Sequence, residues 1–259
     1  MKRSEIIERL QSVQEELEVL IDHADEVSDE PEGNLPKNSV FFMPFTEVKR
    51  IIGAGLFDLF RVGDQIVNQH SKYSPIVWDI IGKNVDSYLG AENTLTLQMH
   101  YVLPGSFPYD EESDEYEYGH AHYPTSSIRK YLNTEFISGF DPADVDCMLP
   151  VQRVTYTVRS EGSKPEVTQD KLFLLSSSEV GFHVGDRVND EGPVYEYYAG
   201  NPERRVKVQL NDPATARNWW LRSPIPSSAD SARIVYSSGA QYSSGAYSGH
   251  GAAAACVIG

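Results

Sequence analysis

Asn218-Trp219-Trp220-Leu221-Arg222-Ser223-Pro224 opens the stretch that decides the fold, and Ala252-Ala253-Ala254-Ala255-Cys256-Val257-Ile258-Gly259 closes it. Both ends are apolar segments of the kind that pack. Between them runs a series of Ser, Gly and Ala residues punctuated by Tyr236, Tyr242 and Tyr247. Ser and Gly bury too little apolar area to offset the entropy of ordering the chain, so this middle cannot be core. A polar segment held between two anchors is the usual build of a binding loop. Tyr supplies contact area with few rotatable bonds, and Ser and Gly adapt around it. The tail, 218–259, therefore reads as a displayed surface on a rigid frame.

Within the tail, strands are expected from Trp219, over 233–236 and over 252–258, with a turn at Ser237-Ser238-Gly239 and a return through 240–242. Upstream, the turn Gly63-Asp64 leads into a hairpin over 65–69 and 75–81, and 95–102 alternates as a strand. Pro124, with Thr125 or Ser126 as cap, sets up a helix to about Asn133 whose buried face is Ile128, Tyr131 and Leu132. The β-branched run 152–159 is a strand, 162–168 a loop, and the apolar run 171–175 a central strand. The long polar region 186–205, with Tyr195, Tyr197 and Tyr198, reads as an exposed insertion over the core. The sum is an α+β domain, strand-rich with few helices.

The ordered set of motifs carries a resemblance. Trp219 to Pro224, then Ala232-Arg233-x-Val235, Ser238-Gly239 and the closing Ala-Ala-Cys-Val-Ile resemble the bacterial and phage family of unknown function DUF6273. They are also similar to the variable proteins diversified by diversity-generating retroelements. Upstream, Gly63-Asp64-Gln65-Ile66, Ile76 to Gly82, Ser126 to Asn133 with Phe136, and Asp170 to Ser176 with Glu179 extend the likeness over about 45–259. The resemblance implies a C-type-lectin-like fold, a mostly antiparallel mixed sheet, with a variable ligand-binding face in the tail.

Residues 1–30 read as an amphipathic helix. Ser4 caps it, and Ile6, Leu10, Val13, Leu17, Leu20, Ala24 and Val27 step by four and three. Two readings stand open: a short coiled coil that makes a homo-oligomer or docks a partner, and a helix lying on its own domain. Residues 31–44 read as a linker whose apolar end, from Val40, packs on the domain; a short helix over 47–52, capped by Thr46, follows.

The chain has 259 residues, 40% of them hydrophobic, and a formal net charge of −16. Such acidity excludes phosphate-binding patches and adsorption to anionic membranes, so neither nucleic acid nor membrane is an expected partner. No run reaches transmembrane length. Met1-Lys2-Arg3 precedes an acidic amphipathic pattern rather than the apolar core of a secretory signal. Cytoplasmic synthesis is expected, with virion association open to a phage-encoded protein. Cys147 and Cys256 have no metal-motif spacing and read as free buried thiols, with a single disulfide between them as the alternative. Six acids within 110–117 lack the spacing of a calcium loop and read as solvated. His120 and His122 share a face on an extended chain but have no evident third metal ligand.

No nucleophile–base pair is apparent, so the expected function is non-catalytic, with no metal and no cofactor. Retroelement diversification rewrites adenines, and one asparagine codon then yields many residue types. By this resemblance the variable, ligand-binding positions are Ile225, Ser227, Ser228, Asp230, Ser231, Ile234, Tyr236, Ala240, Tyr242, Ser243, Ser244, Gly245, Tyr247, Ser248 and His250. The framework would be Trp219, Trp220, Leu221, Arg222, Pro224, Ala232, Arg233, Val235, Gly239, Ala246 and Cys256. The expected ligand is a surface protein or glycan of a host or competitor. A fixed-specificity carbohydrate-binding domain is the alternative; an enzyme like the formylglycine-generating enzymes is the weaker one.

Overall fold

The computed structural model describes residues 38–86, 92–157, 164–182 and 191–259. The chain divides into two units, Met1–Lys37 and Asn38–Gly259. The helix expected over 1–30 lies outside the described residues. The second unit is mixed α+β and rich in strands, as its alternating segments require.

Among the described residues its main sheet has five strands: β1 (Val40–Phe42), β2 (Gln65–Asn68), β3 (Ile76–Lys83), β4 (Leu95–Met99) and β14 (Ala255–Ile258), in the order β1-β2-β3-β4-β14. The short strands β5 (Phe107–Pro108) and β13 (Gly249–His250) pair with each other, as do β8 (Lys207–Gln209) and β9 (Asp212–Arg217). The β1–β2 pair is parallel and the others are antiparallel. The closing strand of the tail thus pairs with a strand far upstream, Cys256 opposite Leu97. Helix α1 (Phe45–Gly53) buries Phe45, Val48 and Ile52, the i, i+3, i+7 stripe of an amphipathic helix. Two details correct the sequence reading. Residues 40–42, placed in the linker, are the edge strand of this sheet. Pro44, not Thr46, is the N-cap of α1; the Thr46 amide donates instead to Asp144 Oδ1, 3.0 Å away.

Helix α2 (Ser127–Tyr131) starts where expected, with Ser126 Oγ accepting from the Arg129 amide. It continues as a π-helical turn, Leu132–Phe136, and α3 (Pro142–Cys147) is capped by Asp141. Cys147 and Cys256 are both free and buried. A hairpin pairs β6 (Val151–Thr157) with β7 (Lys164–Asp170) along seven residues. The sequence reading put a loop over 162–168. The error came from the polarity of β7, whose buried face is Thr168 and Asp170 rather than aliphatic. Asp170 is held there by Arg129, with Nη2 to Oδ1 at 2.7 Å.

Of the run 171–175, residues 172–175 are buried as expected, but the run is not a central strand. Only Phe173 forms a bridge, to Ala255. The Leu175 carbonyl accepts the Arg222 amide, and side chains supply other main-chain partners. Asn133 clamps Leu172, donating from Nδ2 to its carbonyl and accepting its amide on Oδ1. Tyr123 Oη accepts the Leu174 amide, and Arg222 Nη1 donates to the Leu174 carbonyl. Buried main-chain groups need partners, but nothing requires those partners to be a strand.

Tyr195, Tyr197 and Tyr198 correct the reading of 186–205 as exposed. All three are buried in the core. The Tyr198 hydroxyl bonds to Gln98 of β4 and the Tyr197 amide to the Ile81 carbonyl of β3. Here Tyr fills a core with its ring, and Tyr198 also satisfies its hydroxyl inside.

Candidate binding surface

The tail builds a second sheet of three strands, β10 (Trp219–Ile225), β11 (Ser228–Val235) and β12 (Gln241–Gly245), in that order. Trp219, Trp220, Leu221 and Arg222 have no exposed surface. Each indole N–H has a partner: Trp219 Nε1 donates to the Arg205 carbonyl at 2.9 Å and Trp220 Nε1 to the Phe107 carbonyl at 2.8 Å. Arg222 lies in an enclosed ion cluster. It contacts both carboxylate oxygens of Glu179, with Nη2 to Oε1 at 2.9 Å, and Arg153 bonds Asp86 at 2.9 Å. Burial alone would raise the Glu179 pKa, but Arg222 and Arg153 outweigh it and hold the carboxyl below its ordinary range. Glu191, bonded by Ser223 and the Tyr156 amide, is pushed up because burial dominates. The frame of the tail is thus buried and cross-linked by charged hydrogen bonds.

From this frame β11 and β12 form a hairpin. Gly239 takes φ +85°, the left-handed region that favours glycine, and its amide donates to the Tyr236 carbonyl at 2.8 Å. The register sets Ile234 opposite Tyr242, Arg233 opposite Ser243 and Ala232 opposite Ser244. Residues directly opposite share a face, and neighbours on a strand do not. Tyr242 and Ser244 therefore stand on the face of Ala232 and Ile234, while Ser243 and Gly245 stand on that of Arg233 and Ser231. The ring of Tyr236 lies 5.1 Å from that of Tyr242. Tyr247 packs on the opposite side, because a Cβ at Gly245 would meet its ring at 2.8 Å. His250 rests edge-on against Trp220 at 4.8 Å and bonds Ser244 Oγ at 2.8 Å. Burial, and then the charge of Arg217, lower its affinity for a proton. Asp230, bonded by the Ser228 and Ser231 hydroxyls, is held below the usual carboxylate range.

The expected variable positions do not form one patch. Ser227, Asp230, Tyr236, Ala240, Tyr242, Ser243 and Tyr247 are exposed, and Ile225, Ser228, Ser231, Ser244, Gly245, Ser248 and His250 are half-buried. Ile234 is buried, 3% exposed, so it supports the surface from beneath and cannot touch a ligand. Its place on β11, between the buried Ala232 and the exposed Tyr236, follows from the pleat.

One component escaped sequence reading. The segment 110–123, of which 110–117 read as a solvated acidic loop, docks on the tail: the Asp110 amide donates to the Ala246 carbonyl, the Tyr247 amide to the Tyr118 carbonyl, and the Ala121 amide to the Ala229 carbonyl. Gly119, at φ +67°, permits this approach, since a Cβ there would lie 2.5 Å from the Asp110 carbonyl oxygen. The ring of Tyr118 then sits 5.7 Å from Tyr247. Tyr116, His120 and His122 stack in series beside it, and His122 Nε2 meets Glu166 Oε2 at 2.8 Å. Among the described residues, every tyrosine that is more than a third exposed lies here or in the tail: Tyr116, Tyr118, Tyr236, Tyr242 and Tyr247. The only advance sign was that Tyr116 and Tyr118 are large rings in an otherwise solvated loop. Among the described residues no group of three His, Cys, Asp or Glu side chains could hold a metal ion, and no helix is long and apolar enough to cross a membrane.

An α+β domain that ends in a tyrosine-studded hairpin on a buried frame is the class these observations define. Residues 92–258 match the family described as a domain of unknown function, DUF6273, and the chain belongs to that family. The match starts at β4, so the motifs at 63–66 and 76–82 lie outside it. Comparison with curated proteins finds no match, and neither does comparison with solved structures.

Proposed function

We propose that this chain is a non-catalytic recognition protein whose tail, 218–259, is diversified by a retroelement and displayed on a C-type-lectin-like scaffold. One observation carries the reading: burial divides the tail along the line between expected constant and expected variable positions. Of the variable positions, only Ile234 is buried. Of the framework positions, only Arg233 keeps appreciable exposure; the rest are buried. Diversity is tolerable only where substitution leaves packing untouched, because surface changes alter stability by about 0.5 kcal/mol and core changes by several. Rigid aromatic anchors among small adaptable residues suit contact with a surface protein or glycan of a host or competitor.

The test is to sequence the encoding locus in related isolates and to look for a near-copy of the tail's coding sequence beside a reverse transcriptase. Substitutions are expected at the exposed and half-buried positions, opposite adenines in the copy. Codons for Trp219, Trp220, Leu221, Arg222 and Cys256 should stay constant. A tail that never varies overturns diversification and leaves a domain of fixed specificity, for which the tyrosine pairs favour sugar stacking.

A further inference from the structure

The binding residues pose a geometric problem. Tyr242 and Ser243 are adjacent on β12, so a ligand lying on either face of the sheet reaches one and not the other. Only an approach along the strand's outer edge reaches both. That edge is open: β12 is the last strand of its sheet, and among the described residues no other segment pairs with it.

The printed bonds at the two ends of the hairpin fix which main-chain groups point outward. The Tyr236 amide donates to the Ala240 carbonyl and the Ala246 amide to the Asp230 carbonyl. In an antiparallel ladder, hydrogen-bonded and non-bonded pairs alternate. With Ile234 opposite Tyr242 and Ala232 opposite Ser244, those two are bonded pairs. Gln241, Ser243 and Gly245 are then the non-bonded ones, and their N–H and C=O groups point away from β11. The Gly245 carbonyl accepts the Ser248 amide, but among the described residues Ser243 has no such internal partner on that side. β12 also lacks the usual protections of an edge: it has no Lys, no Pro and no bulge.

The edge is flanked on both faces. Tyr236 and Tyr242 stand on one side; Tyr247 and Tyr118 stand on the other. An added strand would set alternate side chains over one pair and then the other. Charge selects the occupant. Among the described residues, no lysine or arginine lies within ion-pair distance of Glu115, Glu117 or Asp230. Lys and Arg are also the side chains that tyrosine faces attract. The net charge of −16 opposes a second copy of this chain.

The geometry points to an extended, Lys- or Arg-bearing segment of a partner protein that adds as a fourth strand to β12, gripped between the two tyrosine pairs. This deepens the recognition reading above and rests on it. Main-chain bonds supply the affinity and the diversified side chains the choice of partner, the division of labour of strand addition.

The test uses the full chain and a random library of short displayed peptides. A recovered peptide is resynthesised with single N-methyl groups walked along it. N-methylation should weaken binding by about tenfold or more at every second position only, because alternate amides face β12. Ser243→Pro removes the outward N–H without touching the β11 ladder, a placement sheets tolerate at edges. It should abolish binding at an unchanged melting temperature, while Ser243→Ala retains it. If Ser243→Pro unfolds the chain, the N-methyl pattern alone decides. Binding that needs Tyr236, Tyr242 and Tyr247 but ignores N-methylation overturns strand addition and leaves the recognition surface standing. Binding only to an array of glycans overturns it too. Self-association lost in Ser243→Pro makes the occupant a second copy and overturns the foreign one. If neither peptides nor glycans bind, both readings fall.

Discussion

Arg222 is fully buried, and its guanidinium is surrounded by the Glu179 carboxylate and the carbonyls of Val154, Leu174 and Glu191. A charge there is stable only while its partners are in place. Arg222→Ala strands Glu179 in the interior, and breaking such a pair costs about 3–5 kcal/mol. Urea unfolding measures this; a loss under about 1 kcal/mol would show that the cluster does not hold the tail. The two acids beside it respond to pH in opposite senses. Glu179, held below its ordinary 4.5, contributes stability above that pH and loses it as pH falls through the lower folded value. Glu191, raised above 4.5, contributes stability below that pH and loses it as pH rises through the higher folded value. Glu191→Gln should therefore match wild type near pH 4 and exceed it near pH 8, by about 2–4 °C per kcal/mol recovered. Thermal scans at the two pH values separate this from a plain loss of a hydrogen bond, which would lower both.

The strands of the tail were legible because Trp-Trp-Leu and Ala-Cys-Val-Ile can only be interior. Strand β7 was not, since Thr168 and Asp170 are polar residues whose burial depends on Arg129 from another element. The run 171–175 misled in the converse way: its apolarity was right, but Asn133, Tyr123 and Arg222 meet main-chain needs that sequence assigns to neighbouring strands. Tyr195 and Tyr198 resemble Tyr236 and Tyr242 in composition and differ only in what lies above them. The exposed tyrosines of the tail could be named from sequence, but not the faces on which they stand. Ile234, expected among the variable positions, has the burial of a framework one. The contrast between classes is measurable. Trp219→Ala or Trp220→Ala should cost about 3–5 kcal/mol, the range for a buried indole. The combined Tyr236→Ala, Tyr242→Ala and Tyr247→Ala change should abolish ligand binding and shift the melting temperature little, as exposed rings warrant. A large drop in the second case would mean these rings are structural, and no drop in the first would remove the indoles from the frame.

Across the whole molecule, the tail is not an appendage. Its last strand completes the main sheet against β4, and Ala252 to Ile258 are fully buried. Gly251 is where the chain turns back inward; a Cβ there would meet Val102 at 2.8 Å. The displayed hairpin is therefore bracketed in the chain by β10 and β14, both needed for the core. A premature stop or frameshift anywhere between them removes β14 and with it the closure of the sheet. Such a product presents unsatisfied edges and exposed apolar surface, the marks by which cells triage misfolded chains. Folding thus acts as a proofreader of the displayed segment: any copy that reaches its native state carries it intact and in frame.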